Sequence, residues 1–221
     1  MSDKKQAFLK LNQVFNDHGY QLYLVGGTVR DILLNIPLTD MDVVTDATPE
    51  EMKSFIDGDY TFSKMGSVKY NFLNTKFDIT TLREEEIYED YRHPQKVIFV
   101  KDLKTDHLRR DFTINAMYMD KNFSLIDFEG GEMDLKNHLL RMVGDPLIRL
   151  KEDPLRIIRA IRFALTYNLT LDKDLEYAIQ LTIPYLERLS EDKIKMELKK
   201  IKVDHIESTK QLFEKFPIKH L

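Results

Sequence analysis

Cysteine is absent from the 221 residues, which excludes disulfides and thiolate metal sites. Long apolar runs are absent too. No stretch approaches the length of a membrane span, so neither a transmembrane helix nor a membrane partner is expected. The opening residues, MSDKKQAFLKLNQ, lack the apolar centre of a signal peptide, and the cytoplasm is the expected compartment. Internal repeats and low-complexity segments are missing. Positive charge is not in excess: the net charge is −4, which argues against an unspecialised nucleic-acid coat but leaves room for a local basic groove.

What is present fits a soluble globular protein, with 43% apolar and 32% charged residues. The length allows one large domain or two small ones around a sizeable core. Arginine is unevenly spread. Arg109, Arg110, Arg141, Arg149, Arg156, Arg159 and Arg162 fall between positions 109 and 162. Such clustering on a mildly acidic chain suggests a phosphate site.

Hydrophobic spacing predicts a helix over 4–18 with Gly19 at its end, a buried strand over 21–25, and a short helix over 28–35 that stops before Pro37. A second strand is expected over 41–45. A helix then opens with Thr48 as N-cap and Pro49 in its first turn. Residues 60–82 read as three strands: YTFSK, VKYNFLN and KFDITTL. The charged segment 83–94 reads as a mobile loop, 96–100 as a short strand, 105–117 as a helix and 123–128 as a strand. Beyond 131 helices dominate. One long helix starts at Asp153 and Pro154, and others are expected over 172–181, 184–188 and 191–201. Composition changes near residue 135, dividing an α+β head (1–135) from an all-helical extension (136–221).

Asp40 and Asp42 flank Met41. On a strand, both carboxylates would emerge on one face. Their mutual repulsion would be relieved by a divalent cation, and Mg²⁺ commonly takes one or two carboxylates together with substrate phosphates. A metal pair held there could activate an attacking oxygen and steady a leaving one. Alone, a D-x-D reads first as a solvated strand end. Upstream, however, LVGGTVRD runs a strand into Gly26 and Gly27 and then a helix. Glycines let backbone approach a phosphate closely, a helix N-terminus offers free N–H groups, and Arg30 could reach the same anion. A triphosphate held beside a metal site accounts for both features together.

Asp153, Arg156, Arg159 and Arg162 recur at intervals of three, so they lie near one helix face. Exposed ion pairs would be the plain reading. Ile157, Ile158, Ala160, Ile161, Phe163 and Ala164 make the rest of this helix apolar, so it is packed and its charged stripe lines something.

The run LVGGTVRDILLNIPLTDMDVVTDATPEEM resembles the signature of class II tRNA nucleotidyltransferases and the related bacterial poly(A) polymerases. The likeness continues through RRDFTINAMYMD (109–120), EDPLRIIRAIRFA (152–164) and LSEDKIKMELKKI (189–201), four motifs in the family's order. It implies a polymerase-β-like head with a mixed β-sheet followed by a helical neck. The implied reaction is template-independent, two-metal addition of nucleotides to the 3′ end of tRNA, from CTP and ATP, with Mg²⁺ as cofactor and pyrophosphate released. Asp40 and Asp42 would hold the metals. Arg110 would contact the nucleotide's sugar or phosphates, with Asn115 on the ribose or orienting the site, while Arg109 and Asp111 would brace the head. Asp153 and Arg156 match the positions that read the incoming base in place of a nucleic-acid template. Arg159 and Arg162 match positions that bind its sugar and phosphates. Asp78 is either a third carboxylate helping to deprotonate the 3′-hydroxyl or an exposed strand acid. The loop YEDYRHPQKVIFV resembles the segment that switches the pocket from CTP to ATP, with Arg83 and Arg92 sharing that role. Its full length favours CCA or A addition over CC addition.

CCA addition is the first expectation. An A-adding enzyme or poly(A) polymerase of the same family is the second, and a catalytically impaired head–neck RNA-binding module the third. Family members usually continue into helical body and tail regions that hold the tRNA. With none here, the chain reads as a head–neck piece or a compact enzyme.

Overall fold

Ala7, Phe8, Leu11 and Phe15 recur at helical spacing and are buried, which sets the inner face of α1 (Asp3–Asp17). The computed structural model describes residues 3–86, 96–201 and 216. Gly19, at φ +83°, ends the first helix, its N–H donating to Asn16 O. The chain then enters β1 (Leu22–Val25), α2 (Gly27–Leu33) and β2 (Met41–Thr45). Thr48 caps α3 (Pro49–Met52) in a reciprocal capping box with Glu51.

β3 (Ser67–Phe72), β4 (Thr75–Thr81), β7 (Tyr118–Met119) and β8 (Leu125–Ile126) complete one mixed sheet in the order β3-β4-β2-β1-β7-β8. β2 and β4 are parallel, and the other neighbours are antiparallel. Burial alternates along β3 and β4. Val68, Phe77 and Ile79 face the core, whereas Ser67, Lys69, Asn71, Lys76, Asp78 and Thr80 share the opposite, open face.

Three expectations are corrected. Residues 60–64 form no strand: Asp59 accepts from the N–H and hydroxyl of Thr61, turning the chain into a 3-10 turn over Ser63–Met65 that Gly66 closes at φ +79°. The charged segment after 82 is not all loop. Arg83–Glu86 is a strand, β5, paired with β6 (Lys96–Phe99). The single helix expected over 105–117 is broken into α4 (Leu103–Asp106), 3-10 turns at His107–Arg109 and Thr113–Asn115, and extended backbone at Arg110. The buried carboxylate of Asp106 gathers Arg109, Arg110 and Tyr118, and that polar cluster outweighs helical continuity.

The fold divides into two compact units. Of the described residues, the first takes 3–86, 96–110 and 114–132, and the second takes 111–113 and 133 onward. In the second, α5 (Gly131–Lys136, which straddles the boundary), β9 (Leu139–Leu140) and α6 (Pro146–Glu152) precede α7 (Leu155–Tyr167). β10 (Thr170–Leu171) pairs with β9, and α8 (Lys173–Thr182) and α9 (Glu191–Leu198) follow. Asp153 closes α6, and its carboxylate accepts from Leu155 N at 3.0 Å, so it serves the start of α7 from just outside. Along α7, Ile157, Ile158, Ala160 and Ile161 are fully buried. None of the described helices is long and apolar enough to cross a membrane.

Candidate active site

β1 leaves the sheet through Gly26, at φ +60° and ψ −126°, a conformation that favours glycine. The next residue is as constrained by space. A Cβ on Gly27 would lie 3.2 Å from Asp42 Oδ2 and 3.4 Å from Arg30 Nη2, so the backbone of this turn presses against both side chains. Thr28 completes the join, its buried Oγ1 accepting from Asp42 N at 2.8 Å. Arg30, 5% exposed, donates to Asn115 Oδ1 at 2.5 Å and to Asp31 Oδ1 at 2.9 and 3.0 Å. Gly26, Gly27, Arg30, Asp42 and Asn115 are thereby brought together.

Asp42 and Asp78 are register partners on the parallel strands β2 and β4, so their carboxylates stand side by side on the open face. Ser67 Oγ donates to Asp78 Oδ1 at 2.8 Å and fixes it. Asp40 lies in the bend just before β2, so strand alternation does not by itself place it beside Asp42. The Asp42 carboxyl reaches solvent but is crowded by protein. That desolvation, followed by repulsion from Asp78, pushes its pKa up to about 6 against the opposing pull of Arg110 and Arg30. Among the described residues, no cage of three or more His, Asp or Glu ligands is formed. The donor set nevertheless fits a hard cation such as Mg²⁺, which takes a carboxylate or two and fills the rest with water and phosphate oxygens. A carboxylate strained by its neighbour gains most from such a cation.

Arg110 is locked from behind. Asp106, with a fully buried side chain, accepts from Arg110 Nε and Nη2 at 3.1 and 2.8 Å, from Arg109 Nε at 2.8 Å and from Tyr118 Oη at 2.8 Å. Burial would raise the Asp106 pKa, but Arg110 and Arg109 reverse this and hold it below the usual carboxylate range. The third nitrogen of Arg110, Nη1, lies 3.7 Å from where a Gly26 Cβ would stand, so it points at the glycine turn. Asp106, Tyr118, Thr28 and Ser67 are missed by sequence reasoning. For Asp106 the signal was available, because it precedes the two arginines by three and four positions.

The second unit holds the other expected residues. Arg156 is buried, donating from Nη1 to Arg149 O at 2.9 Å and to Glu152 Oε2 at 3.2 Å, with Asp153 4.0 Å from its Nε. Arg159 pairs with Asp111, and Arg162 Nε donates to Glu197 Oε1 at 2.6 Å. The anions opposite the arginine stripe are thus the protein's own. Each of the seven clustered arginines has a carboxylate within 4.0 Å. Arg83 donates to Glu85 at 2.6 and 2.8 Å, whereas Arg92 lies outside the described residues.

Residues 22–141 match the family model described as the poly(A) polymerase head domain. The chain is 43% identical over 185 residues to the CCA-adding enzyme of Staphylococcus haemolyticus, covering 83% of this chain and 46% of that one. It is 41% identical over 197 residues to the CCA-adding enzyme of Staphylococcus epidermidis, covering 89% and 49%. Its fold is similar to the crystal structure of the Bacillus stearothermophilus CCA-adding enzyme in complex with CTP, with TM-score 0.83, 35% identity, and 91% and 49% coverage. It is also similar to the Thermotoga maritima CCA-adding enzyme complexed with tRNA, with TM-score 0.75, 28% identity, and 96% and 50% coverage. The chain spans about half the length of these relatives. Nucleotidyltransferases of this kind typically use a divalent metal ion. With more than half of its residues inside one family model, the chain belongs to the poly(A) polymerase head-domain family.

Proposed function

We propose that this chain carries the nucleotidyl-transfer centre of a CCA-adding enzyme, joining CMP, CMP and AMP to the 3′ end of tRNA from CTP and ATP with release of pyrophosphate. The observation that carries this reading is the in-register pair Asp42 and Asp78 beside a glycine turn that presses on Asp42 and Arg30. Gly26, Gly27, Arg30 and Arg110 receive the triphosphate, and Asn115 steadies Arg30. Asp40 and Asp42 would hold Mg²⁺, which would supply charge neutralisation to the attacking and leaving oxygens. Asp78, fixed by Ser67, accepts the proton of the 3′-hydroxyl. Residues 1–135 act as the catalytic head and 136–221 as the neck. There Asp153 and Arg156 select the base, and Arg159 and Arg162 serve the nucleotide's sugar and phosphates. A cytoplasmic location fits this role.

The test supplies CTP alone, ATP alone, or both, to tRNA ending before, within and after CCA. CCA addition predicts extension of tRNA lacking all three residues only when CTP is present. The family description also embraces poly(A) polymerases. Extension of the same tRNA by ATP alone would favour that second reading.

A further inference from the structure

We infer that the open face of β3 and β4 is the path of the RNA 3′ end, with Lys69 and Lys76 holding its terminal phosphates. This rests on the nucleotidyl-transfer reading above and adds the surface along which the acceptor arrives.

The sheet order gives the direction. β1 and its glycine turn lie on one side of β2, and β4 then β3 lie on the other. Phosphoryl transfer proceeds with the attacking and leaving oxygens roughly in line. A triphosphate seated on the glycine turn sends pyrophosphate away on the β1 side. The 3′-oxygen must then reach the α-phosphorus from the β4 side, where Asp78 stands. The nucleotides behind that oxygen have to cross the face of β4 and β3.

That face is built for a polyanion. Lys69 is the direct cross-strand partner of Asp78, about 4.8 Å away by strand spacing, and Lys76 lies two residues from Asp78 along β4, about 7 Å away. Both are exposed and share Asp78's face. Asn71, also exposed, pairs with Lys76 across the strands and adds an amide. Among the described residues neither lysine has a carboxylate within ion-pair distance, although Lys69 is in register with Asp78 on one side and with Asp59 on the other. The seven clustered arginines all have carboxylate partners, whereas these two lysines stand exposed beside the catalytic carboxylates.

The test measures binding of a 5′-labelled tRNA lacking CCA, and separately of CTP, to the full chain and to Lys69→Glu/Lys76→Glu. Lys10→Glu/Lys121→Glu, which changes net charge equally at other exposed sites, is the control. We expect RNA affinity at low salt to fall about tenfold or more beyond the control. The slope of log affinity against log salt should become shallower by about 1.4, the value for two phosphates on a single strand. CTP affinity should stay unchanged. RNA affinity equal to the control, or no RNA binding by the unsubstituted chain, would overturn the surface. Equal loss for CTP and RNA would assign the lysines to the nucleotide instead. Incorporation by the unsubstituted chain is scored in parallel: its absence alongside the expected RNA loss would refute the function and leave the surface standing.

Discussion

Asp42 pays an electrostatic cost for its place, because its carboxylate ionises less readily folded than unfolded. With a folded pKa near 6 against an ordinary 3.8, the folded state binds more protons between those values, so its stability falls as pH rises through that window. Asp42→Asn should therefore stabilise the metal-free protein above pH 6 and give no gain below pH 3.8. The gain expected is about 1 kcal/mol, since the roughly 3 kcal/mol implied by the shift must be reduced for solvent screening at an accessible group. Urea unfolding at pH 3.5 and 7.5 with chelator present measures it, and an equal effect at both values would contradict the assignment. Asp106 has the opposite character. Removing its charge breaks the short buried pairs it makes with both Arg109 and Arg110, so Asp106→Asn should cost about 3 kcal/mol in the same measurement. Tyr118→Phe, which deletes one hydrogen-bonding hydroxyl, should cost about 1 kcal/mol.

At the scale of elements, the strand–turn–helix from β1 to α2 shows what local sequence can specify. Its strand, its glycines and the following strand over 41–45 were all readable, because each rests on neighbours a few residues away. Gly26→Ala should destabilise by about 1–2 kcal/mol through its positive φ alone. Gly27→Ala, at an ordinary φ, should instead depress nucleotide affinity more than stability, by displacing Asp42 and Arg30. A stability loss for Gly27→Ala as large as that for Gly26→Ala would argue against this division. Other elements were unreadable for the converse reason. The break after α4 depends on Tyr118, twelve positions beyond Asp106. The counter-ions of Arg159 and Arg162 come from Asp111 and Glu197, 48 and 35 positions away. Periodicity revealed that the arginine stripe was packed against something, but not that the partners were carboxylates of this chain. Glu197 is 4% exposed and serves Arg162 and Lys200 directly. Glu197→Ala should lower stability by about 3 kcal/mol, read by chemical unfolding.

At the scale of the molecule, the two units carry separable tasks under the proposed function. The first holds the carboxylates and the glycine turn, and the second holds the candidate base-reading pair. Arg156→Ala should therefore change the preference between CTP and ATP, whereas Asp42→Ala should lower incorporation of both alike. A chain with net charge −4 can still handle RNA if cations stand beside the reacting atoms, as Lys69 and Lys76 do. The most direct test of the central claim is nucleotide incorporation into tRNA lacking CCA, with Mg²⁺, CTP and ATP, by the unsubstituted chain and by Asp40→Ala and Asp42→Ala. Loss of charge stabilisation worth several kcal/mol predicts a fall of about a hundredfold or more for each variant. Incorporation unchanged in both would contradict the account.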